Sequence, residues 1–318
     1  PSQVVSSLAT WLLSHLCLDT HRCNAITTAD PQVLEGACHI ILSTQANPDR
    51  AEKALWLIQN SATASTPALI TSSAAITNAI CSLIENSRSR RGLLVCALDT
   101  ARSLFVASPQ ALNGFCQRRA FIPLISRLND TAAEASASAE QDEVGSDDLI
   151  PTLSLLYVLA LGGDVNVDPM ALPALPGAAV NTPDRGALLR RILIASGILS
   201  PLAMLAGCEH KQLRERSLLI LIVLTRSCGQ SAVDKLFSEV GVLSIAVDLL
   251  SAGNGTLLPI SINLLAAVFL RNVLLLSSEL RSSPHLTGVV SAVNSALTDC
   301  TKAKTSEFDI TRAQIAVK

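Results

Sequence analysis

A short glycine-led pattern recurs along the second half of the chain. It reads IASGILSPLAMLAG at 194–207, SEVGVLSIAVDLLSAGNG at 238–255 and HLTGVVSAVNSALTD at 285–299. In each copy a glycine precedes an apolar run of about two helical turns, and Gly197, Gly241 and Gly288 stand 44 and 47 residues apart. Catalytic motifs are not iterated in this way, whereas structural repeats are, so the recurrence predicts a stack of similar units.

Each copy belongs to a longer unit that has the pattern of three helices. From Gly197 a short apolar helix is followed by the longer run CEHKQLRERSLLILIVLTRSC and then by GQSAVDKLFSEV. A shift of 44 residues brings Leu221 onto Leu265 and Ser217 onto Ser261, so the long helices match as well. A unit of this size cannot bury its own apolar face, and it must therefore pack on its neighbours.

Helical periodicity also dominates the first half of the chain. Apolar residues recur three or four apart in PSQVVSSLATWLLSHLCLDT at 1–20, as on one face of an amphipathic helix. Asp30 before Pro31 and Asn47 before Pro48 predict helix starts, because Asp and Asn accept backbone N–H bonds and proline needs none there. With 49% hydrophobic but only 3% aromatic residues, and no strand–turn–strand pattern, the chain is predicted to be all-α.

These units resemble the armadillo-repeat family. The resemblance rests on the glycine-led helices at Gly197, Gly241 and Gly288 and on weaker units led by Ala120 and Gly36. It implies an all-α fold in which armadillo-like helical repeats form a right-handed superhelix, an α-solenoid. We expect residues 1–318 to form a single solenoid and to be a part of a longer protein.

Two segments interrupt the repeat. Residues 129–148, NDTAAEASASAEQDEVGSDD, are small, polar and acidic; they bury too little apolar area to offset their ordering entropy, so we expect an acidic mobile loop. Residues 162–186 contain four prolines and several glycines and are expected to form an irregular insertion. Between them, LIPTLSLLYVLAL predicts a helix that is buried on nearly all sides.

The most specific candidate contact is the pair Trp56 and Asn60 in EKALWLIQN, which helical spacing puts on one face. In armadillo proteins that bind extended peptides, Asn at this spacing pairs with the peptide backbone and Trp lies beside a side chain, so the resemblance implies such contacts here. The alternative is that both are core or rim residues, because the pattern is not repeated. Leu219 and Val223 stand at the aligned positions of a later helix, and Asn263 stands at one of them in the next.

Basic residues recur near the starts of the long helices. They are Arg50, Lys53, Arg88, Arg90, Arg91, Arg190, Arg191, Lys211, Arg214 and Arg216. They predict a positive ridge suited to an acidic peptide, with the acidic loop as an internal competitor, and the alternative is an ordinary solvated face. The candidate partner-binding residues are Trp56, Asn60, Arg90, Arg91, Arg214 and Asn263.

Charge and motifs argue against most other classes. A net charge of -2 lacks the net basic face of a general nucleic-acid binder, and Arg271 within 260–280 makes a membrane span there costly. No hydrolase, metalloprotease, phosphate-loop or dinucleotide motif occurs and the histidines are scattered, so we expect no enzyme, no cofactor and no metal. Nine cysteines without a CxxC pair predict free thiols in a reducing compartment, the cytoplasm or the nucleus.

The sequence therefore favours a protein–protein interaction module that binds a partner segment on the concave surface of its third helices. One alternative is an armadillo-type co-chaperone or assembly factor, directed to myosin or associated with heat-shock chaperones, that clasps a folded client domain. Another is a structural scaffold segment of a larger complex. The partner is expected to be another protein, as an extended peptide or a client domain, with no nucleic acid.

Overall fold

The computed structural model describes residues 3–43, 48–86, 91–137, 146–166, 185–226, 242–252 and 260–276, and every regular element within these ranges is a helix. The chain divides into two compact units, residues 1–126 and residues 127–318. The all-α prediction is therefore confirmed for the part of the chain that the structure describes.

The described part of unit 1 contains seven complete helices. They are α1 (Gln3–Leu16), α2 (Thr20–Ala29), α3 (Gln32–Leu42), α4 (Pro48–Thr63), α5 (Pro67–Asn86), α6 (Arg91–Ala107) and α7 (Pro109–Gln117). An eighth helix, α8 (Phe121–Ala137), begins in unit 1 and continues into unit 2.

Helices α1, α4 and α6 lie side by side and form the front layer of unit 1, with α2, α3, α5 and α7 behind it. Hydrogen bonds join α1 to α4 near both ends. Arg50 Nη2 donates to Ser6 Oγ at 2.6 Å, and Asn60 Nδ2 donates to the Ser14 carbonyl at 2.8 Å. Because the starts of the two helices meet each other and so do their ends, α1 and α4 are parallel.

Helix α6 continues the front layer on the other side of α4. Thr100 Oγ1 on α6 lies 3.4 Å from the Leu55 carbonyl of α4, and the two helices are in extensive contact. Behind the layer, Phe105 and Phe115 join α6 to α7 with ring centroids 4.8 Å apart. The core of unit 1 therefore lies between its front layer and the helices behind it.

The described part of unit 2 holds the remaining helices. They are α9 (Ser146–Leu161), α10 (Arg185–Ala195), α11 (Leu199–Gly207), α12 (Lys211–Thr225), α13 (Val242–Ala252) and α14 (Ile260–Leu276). Helices α9, α12 and α14 pack as one layer, in which Asn272 Nδ2 donates to Thr225 Oγ1 at 3.2 Å. Residues 152–161 of α9 are all buried, which confirms the prediction of a helix covered on nearly all sides.

One turn geometry ends four of the helices. Ser65, Arg119, Gly162 and Gly197 have φ values of 52°, 54°, 71° and 84°. The N–H of each donates to the carbonyl three residues before it, and the N–H of the following residue donates to the carbonyl five before it. This is the Schellman ending of an α-helix, which satisfies carbonyls that the helix leaves unpaired.

These turns confirm one predicted glycine and correct two predicted unit starts. Gly197 makes the turn between α10 and α11, as predicted. In the preceding unit the left-handed residue is Arg119 and not Ala120, so the alignment shifts by one residue. Gly36 lies inside α3 and starts no unit, while Gly241 and Gly288 lie outside the described residues.

Two predicted helix starts involve proline. Asp30 Oδ1 accepts the N–H of Gln32, the first residue of α3, at 3.0 Å, while Pro31, predicted to open the helix, stands at the N-cap position just before it. Helix α4 begins at Pro48, and Asn47 lies outside the described residues.

Both predicted interruptions are shorter than expected. Residues 129–137 continue α8 and residues 146–148 begin α9, so these parts of the predicted acidic loop are helical. Residues 129–137 extend α8 because alanine and glutamate favour helix. At the start of α9, Asp148 is 2% exposed and accepts a hydrogen bond from Arg127 Nη2 at 2.5 Å. In the predicted insertion 162–186, residues 162–166 are irregular, and Arg185 and Gly186 begin α10. Residues 138–145 of the first segment and 167–184 of the second lie outside the described residues.

Hydroxyl side chains inside the helices donate to backbone carbonyls one turn earlier. Ser61 donates to the Leu57 carbonyl at 2.9 Å, and Thr77 donates to the Ser73 carbonyl at 2.7 Å. Ser61 and Thr77 are buried, as is Thr100, whose Oγ1 also lies 2.7 Å from the Cys96 carbonyl. These three helices thereby place Ser61, Thr77 and Thr100 in the core with their hydroxyls paired, whereas Ser217 Oγ on α12 is buried without a partner among the described residues.

Among the described helices, α5 is the one that is long and apolar enough to cross a bilayer. Helices α10 and α11 would together also be long and apolar enough if they formed one span, but they are bent by 84°. The most apolar window of α5 is 61% buried inside the protein. The core helix of a soluble protein passes the same test.

Candidate functional site

Helix α4 carries one open stripe on the front layer of unit 1. Exposed or half-buried residues recur three or four apart along it, at Asp49, Glu52, Trp56, Asn60 and Thr63. Amphipathic spacing explains the stripe, since the residues between these positions are mostly buried against α1, α3 and α6. Trp56 is 37% exposed and lies at the middle of the stripe.

The same pattern occurs on α1, the neighbour of α4 in the front layer. The run WLLSH at 11–15 matches WLIQN at 56–60 with a shift of 45 residues. Trp11 is 42% exposed, and its ring packs on His15 with centroids 4.3 Å apart. Trp11 and Trp56 are the two tryptophans of the chain. Both side chains are exposed, and they lie on adjacent, parallel helices.

Sequence reasoning overlooked Trp11. The signal was present, because a match of two tryptophans with a shift of 45 is close to the spacing of the glycine-led units. The Trp–Asn pair does not recur on the aligned later helix, where Leu219 and Val223 stand in its place. On α1 the pattern continues with His15 in the position of Asn60.

Asn60 lies at the edge of the stripe and joins two helices. Its side chain is half-buried, and its Nδ2 donates to the Ser14 carbonyl near the end of α1, where the last carbonyls of a helix lack partners within the helix. The interpretation of Asn60 as a structural contact is thus supported by a hydrogen bond. The amide oxygen of Asn60 takes no part in that bond.

Helix α6 places the Cys96 thiol beside Trp56, where it meets the Glu52 carboxylate of α4. Cys96 Sγ donates to Glu52 Oε1 at 3.8 Å. Burial raises the pKa of the Cys96 thiol to about 11, with the Glu52 and Asp99 carboxylates adding to the rise, while a hydrogen bond from Trp56 lowers it. The thiol is therefore neutral near pH 7 and provides a weakly polar neighbour to the tryptophan, not a nucleophile.

The predicted basic ridge is wrong for several of its members. Arg190 is 2% exposed and donates through Nη1 to the Ala160 carbonyl at 2.8 Å. Arg214 is 9% exposed and donates through Nε to the Cys208 carbonyl at 2.8 Å. Both guanidiniums bind backbone carbonyls inside unit 2, which the sequence pattern of a charge near a helix start does not reveal.

The remaining predicted contacts are scattered. Arg91 is exposed at the start of α6, and Arg90 lies outside the described residues. Asn263 lies on α14 in unit 2, half-buried, and its Oδ1 is buried without a hydrogen-bond partner among the described residues. Of the five predicted residues that the structure describes, Trp56 and Asn60 alone share one stripe.

Across the described ranges, no three His, Cys, Asp or Glu side chains come together as a metal site would need. The seven cysteines in these ranges are free thiols, and four of them are buried: Cys17, Cys23, Cys38 and Cys81.

Several solved structures are similar to this chain. A computationally designed armadillo repeat protein for modular peptide recognition is 15% identical, with a TM-score of 0.61 over 86% of this chain and 94% of that one. A second designed armadillo repeat protein gives 0.60 at 15% identity over 86% and 95%. A third, in complex with the peptide (KR)4, gives 0.53 at 15% identity over 90% and 97%.

No protein-family model matches the chain, and no curated protein does. At 15% identity the structural matches establish the fold. The predicted armadillo-like repeat fold is confirmed.

Proposed function

We propose that this chain is a protein-binding module that holds an extended segment of a partner protein across the front layer of unit 1, with Trp11 and Trp56 as its main contacts. The observation that carries the proposal is the repetition of an exposed tryptophan on adjacent helices, 45 residues apart. Exposed tryptophans are costly to leave in water and are enriched among the residues that dominate protein interfaces.

The spacing of the two tryptophans suits an extended segment that runs across the helices. Neighbouring packed helices lie about 8–10 Å apart, a span that an extended chain covers in about three residues. A partner residue between the two indoles would contact both. One designed armadillo repeat structure with the same fold is described as designed for modular peptide recognition, and another is in complex with a peptide.

The polar residues around the tryptophans favour a peptide over a folded client. A co-chaperone that clasps a folded client would present a broad apolar concavity, whereas the stripe on α4 alternates Trp56 with Asp49, Glu52 and Asn60. Polar side chains beside an aromatic anchor suit the backbone of an extended chain.

A peptide-display selection against the full chain tests the proposal. Because the chain has two tryptophans and both lie in the proposed site, intrinsic fluorescence reports binding there directly. We expect Trp11→Ala and Trp56→Ala each to weaken a selected peptide at least about tenfold. Ile70→Ala is the control, since Ile70 is 56% exposed on α5 behind the layer. Peptides that bind the double variant as tightly as the wild type would refute the proposal.

A further inference from the structure

Helix α1 presents an imidazole beside its tryptophan. His15 is exposed and follows Trp11 by four residues, and the two rings pack with centroids 4.3 Å apart. The shift of 45 residues that aligns Trp11 with Trp56 also aligns His15 with Asn60. His15 therefore belongs to the proposed binding site, and histidine is the side chain that ordinarily changes its charge between about pH 5 and 8.

The hydrogen bonds of His15 determine which ring nitrogen carries the proton. Nδ1 lies 3.0 Å from the Trp11 carbonyl oxygen, which accepts only, and 3.5 Å from Ser14 Oγ. The Ser14 hydroxyl donates its own proton to the same carbonyl at 2.7 Å, so Ser14 Oγ is also an acceptor towards the ring. Nδ1 is therefore the protonated nitrogen of the neutral imidazole, and Nε2 keeps its lone pair.

Asn60 presents an acceptor at the aligned position of α4. Its Nδ2 donates to the Ser14 carbonyl at 2.8 Å, so Oδ1 is the remaining atom of the amide group, and it accepts. Two aligned residues of adjacent helices thus offer an acceptor beside the tryptophans, Nε2 of neutral His15 and Oδ1 of Asn60. A partner that meets both must present donors, and an extended segment has a backbone N–H at every residue except proline.

We infer that His15 makes partner binding depend on pH, and this inference rests on the proposed function of the site. Neutral His15 accepts a backbone N–H of the bound segment at Nε2, as Asn60 accepts another at Oδ1. Protonation puts a hydrogen on Nε2, so the ring then meets that N–H with a donor of its own and the hydrogen bond is lost. The segment is held at neutral pH and released as His15 becomes protonated.

The ionisable groups around His15 leave this response to the imidazole. Helix α1 has no other ionisable side chain, and residues 57–63 of α4, which lie level with His15, have none. The charged residues of α4 lie about 10 Å or more along its axis from that level, and α6 lies on the other side of α4; these residues are Asp49, Arg50, Glu52 and Lys53. At the start of α2, Asp19, His21 and Arg22 are exposed. His21 titrates in the same range and is therefore the matched control.

The test uses a peptide selected against the full chain at neutral pH, with blocked ends and without Asp, Glu or His, so that its own charge stays constant. Anisotropy of a rhodamine label measures its dissociation constant. The wild type should bind about tenfold more weakly at about pH 5.5 than at about pH 7.5, as expected for one lost hydrogen bond. His21→Gln should keep this dependence.

Two variants separate the acceptor from the charge. His15→Gln places an amide oxygen near the position of Nε2 at every pH, so it should bind like the wild type at about pH 7.5 and lose the pH dependence. His15→Ala should bind about tenfold more weakly than the wild type at about pH 7.5, with no further loss in acid. Because His15 is exposed, both variants should keep the wild-type far-ultraviolet circular dichroism.

An unchanged pH dependence in His15→Gln would overturn the inference, as would wild-type binding that is constant or tighter in acid. The proposed function would survive either result if Trp11→Ala and Trp56→Ala still weakened the peptide at neutral pH. Tryptophan variants that bind like the wild type would instead refute the proposed function, and the role of His15 with it. Nitrogen-15 NMR of the histidine-labelled chain without peptide checks the tautomer: Nδ1 of neutral His15 should carry the proton, and a protonated Nε2 would contradict the acceptor.

Discussion

Gly186 is the position where the smallest substitution should have the largest effect on stability. It lies in the first turn of α10 beside the end of α9, and a Cβ added there would collide with Arg190 Nη1 and lie 2.8 Å from the Ala160 carbonyl oxygen. These two atoms are themselves hydrogen-bonded at 2.8 Å. Gly186→Ala must therefore push Arg190 away from the carbonyl it binds.

The expected loss follows from two opposing terms. The hydrogen bond from the buried Arg190 guanidinium to the Ala160 carbonyl is worth roughly 1.5–3 kcal/mol. Replacing glycine by alanine in a helix returns at most about 1 kcal/mol. Gly186→Ala should therefore lower the free energy of unfolding by roughly 0.5–3 kcal/mol.

Urea denaturation followed by far-ultraviolet circular dichroism measures this loss. Gly36→Ala is the matched control, because Gly36 lies inside α3 and a Cβ there would meet nothing within 4 Å. The control should gain about 0.5–1 kcal/mol from helix propensity alone. If Gly186→Ala were as stable as the wild type, the close approach of α10 to the end of α9 would be wrong.

Three further changes have expected outcomes that the same assay measures. Arg119→Gly should raise the free energy of unfolding by about 1 kcal/mol, since a φ of 54° is strained for arginine; a loss would contradict the left-handed turn. Asn60→Ala should lower the free energy of unfolding by about 1 kcal/mol, because it removes the hydrogen bond to the Ser14 carbonyl. An unchanged urea midpoint would contradict a stabilising role for that bond. Burial raises the pKa of the Cys38 thiol to about 12, with Glu35 adding to the rise. The unfolded thiol ionises first, so stability should hold below about pH 8.5, fall by up to about 1.4 kcal/mol per pH unit above it and level off past the folded pKa. Cys38→Ala should lose that part of the alkaline slope and keep the part due to other buried thiols such as Cys96, and a slope equal to that of the wild type would assign the whole loss to other groups.

The helices and the repeat could be predicted because their signals are local. Apolar spacing along α4 and α9 determines which side is buried, and Gly197 marks a turn that needs a left-handed residue. The shifted turn at Arg119 was not predictable, because arginine has no preference for that conformation and packing imposes it there. Alanine-rich acidic sequence at 129–137 suits a solvated helix as well as a loop, and only its neighbours decide between them.

The sequence predicts part of the candidate site, Trp56 and Asn60, but not the roles of the basic residues. Trp56 and Asn60 were found from a spacing on one helix, and their position on an open stripe is a local property. The roles of Arg190 and Arg214 depend on carbonyls supplied by other parts of the chain, so a basic side chain near a helix start has the same pattern whether it faces solvent or the interior. Sequence spacing cannot separate these cases.

The hydroxyls that donate within their own helices bear on how this chain can be modified in a cell. Ser61 and Thr100 are 0% exposed, with each hydroxyl already bound to a carbonyl of its own helix. A kinase needs the hydroxyl and several flanking residues in an accessible, extended segment, which a packed helix does not offer. Phosphorylation of either residue would therefore require a chain that has not yet folded or has unfolded. A phosphate found there would indicate an unfolded chain and not a signalling event on the folded protein.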